Sequence, residues 1–173
     1  MELIKTLCDV ITVGMNLSPK RVMAYNQKWT IPSGAGLFIV VGYMGQRPYG
    51  NNTSWEPLPA TGQLPDGLAE VQTLNVQETY YVDVFSQDTS ARARMHEVNF
   101  AMMSTYAQQQ CEKYSFRLAG LPLSFIDTSA SEGSSMLTKY TATFSALRAY
   151  SQTRAIEYFD KFQLSPETLL TNP

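Results

Sequence analysis

The feature that most constrains this chain is an alternation. From Leu74 to Val84 the even positions are Leu74, Val76, Glu78, Tyr80, Val82 and Val84, almost all apolar. The odd positions, Asn75, Gln77, Thr79, Tyr81 and Asp83, are almost all polar. A period of two predicts a strand with one face on a core and the other toward solvent or a partner. Ser86-Gln87-Asp88-Thr89-Ser90 then ends the alternation with side-chain oxygens suited to capping a helix N-terminus. From Ala91 the spacing lengthens. Ala91, Met95, Val98, Met102 and Tyr106 recur every three or four residues, which predicts one long amphipathic helix reaching Tyr114.

The flanking sequence supplies the rest of an α+β domain. Leu3, Ile4, Leu7, Cys8, Ile11 and Met15 share one helical face, with Glu2, Lys5, Thr6 and Asp9 off it, and Ser18-Pro19 marks the end of that helix. Val22 to Ile31 reads as either a strand or an irregular segment. Leu37 to Met44 is short, apolar and β-branched, as a buried central strand is. Arg47 to Leu68 holds Pro48, Pro57, Pro59 and Pro65 with Gly50, Gly62 and Gly67, and predicts a long functional arm outside the core. Trp55 on that arm needs something to pack on.

Phe116 to Asp127 predicts a strand broken at Gly120 and Pro122, with the proline at an edge or bulge. Thr128 to Ser135 predicts a flexible connector. Met136 to Tyr150 resumes the alternation, with Met136, Tyr140, Ala142, Phe144 and Ala146 opposite Lys139, Thr141, Thr143 and Ser145. Ala155 to Phe162 reads as a last strand or turn, and 163–173 as a tail. The expected architecture is one domain over 1–173, its mostly antiparallel sheet packed by the N-terminal helix and one long central helix.

Charge separates this chain from ordinary soluble domains. Asp, Glu, Lys and Arg make up 16%, against roughly 25% on average. The net charge of −2 is unevenly spread. Residues 1–47 carry five bases against two acids. No Lys or Arg lies between Arg47 and Arg92, where Glu56, Asp66, Glu70, Glu78, Asp83 and Asp88 fall. A basic surface could meet an acidic one on a neighbouring copy, head to tail; chance in a weakly charged chain gives the same pattern. Cys8 and Cys111 are too few for a disulfide framework and read as two buried free thiols in a reducing compartment. Glu2 and Asp9 sit where a signal peptide needs a basic flank and an apolar run. No stretch reaches the roughly 18 apolar residues of a membrane span.

Few residues carry recognisable chemistry. His96 is the single histidine, and His96-Glu97 lacks the second histidine of a zinc-protease helix. On one continuous helix His96 and Cys111 would stand roughly 22 Å apart, too far for a thiolate pair. Cys8 with His96 remains as a combination, beside the plainer reading of a helix histidine and a buried thiol. No cysteine cluster has zinc spacing. Ser33-Gly34-Ala35-Gly36 lacks the lysine of a phosphate loop and reads as a turn. No metal, cofactor or catalytic residue is expected, and an enzyme is the weaker class.

The order of elements now resembles a known family. Helix, buried strand, Pro/Gly arm, the strand ETYYVDVFS, the elbow QDTSARARMHEV, helix, and the hairpin LPLSFIDTSASEGSSMLTKYTATFSALRAY resemble the neck or tail-terminator proteins of tailed bacteriophages, over residues 37 to 160. The resemblance implies a structural subunit of the virion, assembled in the host cytoplasm, in a ring that is usually a hexamer. Such a ring ends the tail tube and joins it to the head connector, with DNA passing through its centre. The implied partners are copies of the chain, tube and connector proteins, and DNA that is not gripped; no membrane is implied. The polar strand face and the arm suggest an interface of Arg47, Tyr49, Trp55, Pro57, Asn75, Gln77 and Thr79. Asp127 and Glu132, at the hairpin tip, would be acids facing a channel. Another virion ring protein (a head-completion adaptor, collar or tube subunit) and a small enzyme or ligand-binding domain are the alternatives.

Overall fold

The structure, a computed structural model, describes residues 3–25, 36–57, 68–132 and 135–156. In chain order the elements are α1 (Leu3–Gly14), β1 (Val22–Ala24), β2 (Phe38–Pro57), β3 (Leu68–Ser86) and α2 (Ser90–Arg94). Then come α3 (Glu97–Met102), α4 (Thr105–Lys113), β4 (Phe116–Ala119), β5 (Ile126–Asp127), β6 (Ala130–Glu132) and β7 (Ser135–Ile156). The fold is α+β with a mostly antiparallel sheet, as expected. Among the described residues no helix is long and apolar enough to cross a membrane.

Strands follow one another in the order β1-β2-β3-β7-β4, with β5 and β6 also on β7. β1 is parallel to β2, Val22 opposite Ile39. β4, β5 and β6 run antiparallel to successive parts of β7. Side chains show that the central pairs are antiparallel too. Tyr43 meets Tyr80 while Arg47 meets Gln77, and Thr141 meets Asp83 while Ser145 meets Gln77.

By its contacts the chain divides into two compact units, Met1–Gly50 with Leu74–Tyr150 and Asn51–Thr73 with Ser151–Pro173. In the first unit α1 and the α2–α4 segment cover one sheet face. Leu7, Ile11, Ile39, Val41, Tyr80, Val82, Val84, Val98, Met102, Phe144 and Ala146 form its core. The alternation holds from Val76 to Val84, but Leu74 is exposed. α1 buries its expected stripe and also Thr6 and Val10, because it lies against both β1 and α3. A Cβ on Gly14 would overlap Cβ and Cα of Ala101, so the absence of a side chain there lets α1 and α3 meet.

The single long central helix is three short ones. Ser104 turns to extended geometry, accepts from the Ala107 N–H at 3.1 Å, and so starts α4 afresh. Arg94 and Glu97 form a forked ion pair, with Arg94 Nη2 2.6 Å from Glu97 Oε2, across the break between α2 and α3. The apolar stripe survives both breaks: Ala91, Val98 and Met102 are buried and Met95 and Tyr106 pack against them.

Two other expectations change. The arm over Arg47–Leu68 is strand β2 as far as Pro57, because proline is tolerated on an edge strand whose missing N–H faces outward; residues 58–67 lie outside the described residues. The connector over Thr128–Ser135 contains β6, paired through Ala130 with Leu137 and Glu132 with Ser135. The break at Gly120 and Pro122 is as expected, with Gly120 at φ +82° and a cis Leu121–Pro122 bond. Most of Val22–Ile31 beyond Tyr25, the segment after Ile156 and the tail lie outside the described residues.

In the second unit the described segments of β2, β3 and β7 form a sheet with β3 in the middle. The hydroxyls of Thr73 and Ser151 meet at 3.0 Å. Ala69 is buried, whereas Asn51, Asn52, Thr53, Trp55, Glu56 and Ser151 to Arg154 are exposed.

Candidate functional site

The sheet face away from the helices in the first unit carries Arg47, Gln77 and Thr79 of the expected interface. The pleat sends Gln77, Thr79, Tyr81 and Asp83 of β3 to that side, and all four are half-buried. A chain of hydrogen bonds crosses three strands there. Arg47 donates to Gln77 Oε1 from Nε at 3.1 Å and Nη2 at 3.0 Å, and Gln77 Nε2 donates to Ser145 Oγ at 2.8 Å. Four residues back along β7, a second chain forms: Thr141 donates to Asp83 at 2.6 Å, and Lys139 stands 2.9 Å from the same carboxylate. The Tyr81 ring lies over Gly42, where a Cβ would overlap it, and meets Tyr25 edge-on at 6.2 Å. Burial, then Asp83 and Tyr25, pushes the Tyr81 phenol pKa up. At one end the face turns apolar, where Phe38 and Phe85 stack at 5.8 Å beside Val40, with Arg21 over the Phe38 ring.

The expected residues do not form one cluster. Arg47 and Gln77 are bonded to each other, and Thr79 follows on the same face. Tyr49, 55% exposed, and Asn75 instead border an open cavity of about 980 Å³, with Met102, Met103, Cys111, Phe116, Arg117 and Arg148 around it. Trp55, 58% exposed, and Pro57 belong to β2 in the other unit. Asp127 is exposed on β5 and accepts from the Ser129 N–H at 2.9 Å, and hydrogen bonding from Ser129, its side chain first and then its backbone, lowers the carboxyl pKa. Glu132 lies on β6, opposite Ser135 of β7.

The residue pattern did not single out Glu78. It occupies an inward position of the alternation, is 5% exposed, and has both carboxylate oxygens engaged. Tyr80 and Tyr150 each donate a phenol proton to it at 2.6 Å, and Arg148 stands at 3.8 Å. Burial first, then the bond to Glu78, raises the Tyr80 pKa; the bond to Glu78 comes first for Tyr150. A carboxylate among Val76, Tyr80 and Val82 was the available clue. Leu3, Ile4, Tyr43 and Gln46 border a cavity of about 300 Å³ beside this group. With its acceptors taken by phenols, Glu78 ties β3 to β7 and is not placed as a general base.

The remaining chemistry-bearing residues stand apart. His96 is exposed before α3, its ring edge-on to Phe100, while Cys111 lies on α4, so the spacing for one continuous helix does not apply. Cys8 is buried, its thiol pushed up to about 12 by burial and then by Asp9. Cys111 is half-buried and its thiol also raised, chiefly by burial. A raised thiol is a poor nucleophile. Among the described residues no three His, Cys, Asp or Glu side chains come close enough to hold a metal ion. Compared with known protein families the chain matches none, and comparison with curated protein sequences finds no match either.

Proposed function

We propose that this chain is a structural subunit of a tailed-bacteriophage neck, forming a ring that ends the tail tube and joins it to the head connector while DNA passes through. The observation that carries the reading is the sheet face that no described helix covers, whose polar side chains are already held by Arg47–Gln77–Ser145 and Thr141–Asp83–Lys139 contacts. Side chains ordered before association lose little freedom on binding. Polar and charged groups already bonded to one another also cost less to bury than unpaired ones. Contacts between unlike surfaces of identical subunits close into rings when the rotation permits. Trp55, large and exposed, supplies an aromatic anchor of the kind that dominates interfaces.

The role is structural, with no catalytic residue or cofactor proposed. DNA would slide past without being gripped, because the bases are scattered and Asp127 and Glu132 would repel phosphates if they face the channel. Duplex titration at about 150 mM salt should give nothing tighter than ~10⁻⁶ M; tighter binding overturns that part.

Mass in solution and electron microscopy test the whole reading, with the purified chain alone and mixed with the tube and connector proteins of its particle. A closed ring capping tubes is expected. Rings that stack without limit favour a tube subunit instead. A strict monomer under every condition sinks the proposal, and the open cavity beside Met102 and Arg148 then favours a ligand-binding domain.

A further inference from the structure

The unit of Asn51–Thr73 and Ser151–Pro173 has two unpaired strand edges among the described residues. β3 lies between β2 and β7. β1 pairs β2 only at Ile39 to Val41, and β4, β5 and β6 pair β7 only between Ser135 and Arg148. Among the described residues, the outer edges of β2 from Asn51 and of β7 from Ser151 therefore have no strand partner. Monomeric proteins guard such edges with lysine, bulges or proline within the strand. Neither segment contains lysine, and the one proline, Pro57, is the last residue of β2. Exposed Asn, Thr, Ser and Gln side chains dominate the described part of both.

We infer that the β7 edge of one copy, Ser151–Ile156, pairs with the β2 edge of the next, Asn51–Pro57, so that the sheet continues from subunit to subunit; this rests on the ring reading above. Charge selects the pairing. The β2 segment holds a single charge, Glu56, and the β7 segment a single charge, Arg154. Joining β2 to β2, or β7 to β7, brings like charges to one seam, whereas β2 with β7 brings unlike ones. Direction follows as well. β2 and β7 both run antiparallel to β3 and so point the same way, and a ring rotation preserves that sense about its axis. The junction is a parallel ladder, with Glu56 and Arg154 toward the same end of it. The amides and hydroxyls of Asn51, Asn52, Thr53, Gln152 and Thr153 can then bond across the seam.

Hydrogen exchange on the full chain, read by peptide mass, tests this. The outward-pointing amides of 51–56 and 151–156 should exchange faster in separated subunits than in the ring, while those directed at β3 are protected in both. Asn52→Pro and Thr53→Pro each remove one N–H, and adjacent residues point theirs to opposite sides of the strand. The outward one should abolish rings while the subunit keeps its thermal transition. Glu56→Arg and Arg154→Glu should each weaken association roughly two- to fivefold, as exposed ion pairs do, and together restore it. Rings whose edge amides exchange as in the free subunit overturn this pairing and leave the neck reading standing. So does protection already complete in the free subunit, which would mean that the chain closes its own edges. Dimers that stop at two overturn it in favour of like-with-like pairing. No assembly at all removes both proposals.

Discussion

β3 presents two surfaces on one backbone, and they are held by different forces. On the helix side Val76, Tyr80, Val82 and Val84 are nearly inaccessible, and each such side chain contributes about 1.5–3 kcal/mol by leaving water. On the other side Gln77, Thr79, Tyr81 and Asp83 are half-buried, and Gln77 and Asp83 are joined to β7 by side-chain hydrogen bonds. Cross-strand polar pairs of that kind contribute roughly 0.2–1 kcal/mol each. The first face therefore decides whether the subunit folds. The second is ordered but contributes less to folding.

The largest effect that would sharpen this contrast is a cavity on the covered face. Leu7 of α1 has no accessible surface, and Leu7→Ala should cost about 2–5 kcal/mol in denaturant unfolding. Thr79→Ala on the open face should stay within about 0.5 kcal/mol. Equal losses would break the comparison.

Two glycines sharpen it further. Gly14→Ala drives a methyl group into the Ala101 backbone between two helices. It should cost about 1–3 kcal/mol from overpacking, outweighing the roughly 1 kcal/mol that alanine gains over glycine in a helix. Gly42→Ala meets only the far end of the Tyr81 ring, which can swing into solvent, so its cost should stay below about 1 kcal/mol. Thermal unfolding of the two variants decides the matter.

The covered face was the more legible of the two, and for a physical reason. Burial acts on every residue of a period, so Val76 to Val84 and Ala142 to Ala146 announce themselves locally. Even the helix stripe from Ala91 to Tyr106 kept its spacing through two breaks, because it reports which side faces the core and not whether the backbone is continuous. Ser104, a cap in mid-stripe, was the visible sign of one break. Strand β2 beyond Arg47 was hidden, since its prolines and glycines describe a loop unless the neighbouring strand is known. The Glu78 cluster was hidden for the same reason: Tyr150 lies 72 residues from its partner.

The covered face should also make the protein sensitive to alkali. The buried Cys8 thiol is raised from 9.0 to about 12. A raised pKa means that stability is fully present below about pH 9 and is lost as pH rises toward 12, at up to about 1.4 kcal/mol per pH unit. Tyr80, on the same face, is raised too and adds to the loss. Cys8→Ala should flatten the fall of the melting temperature over that window, and native Cys8 should resist alkylation at pH 8. An unchanged slope would mean that the thiol is not the buried acid the fold implies.

The smallest effect on folding should come from the centre of the open face. Gln77 accepts from Arg47 and donates to Ser145, but Arg47 is exposed and Ser145 half-buried. Water can replace Gln77 at both partners when the side chain is removed. Gln77→Ala should therefore cost at most about 1 kcal/mol, the net worth of hydrogen bonds that solvent can remake. Its effect on association should be larger than its effect on folding, because the variant releases Arg47 and Ser145 from the geometry that a neighbour would meet. Melting and solution mass, measured on one preparation, separate the two. A loss above about 2 kcal/mol would place Gln77 with residues whose partners are cut off from water. The two faces of β3 would then differ in chemistry but not in role.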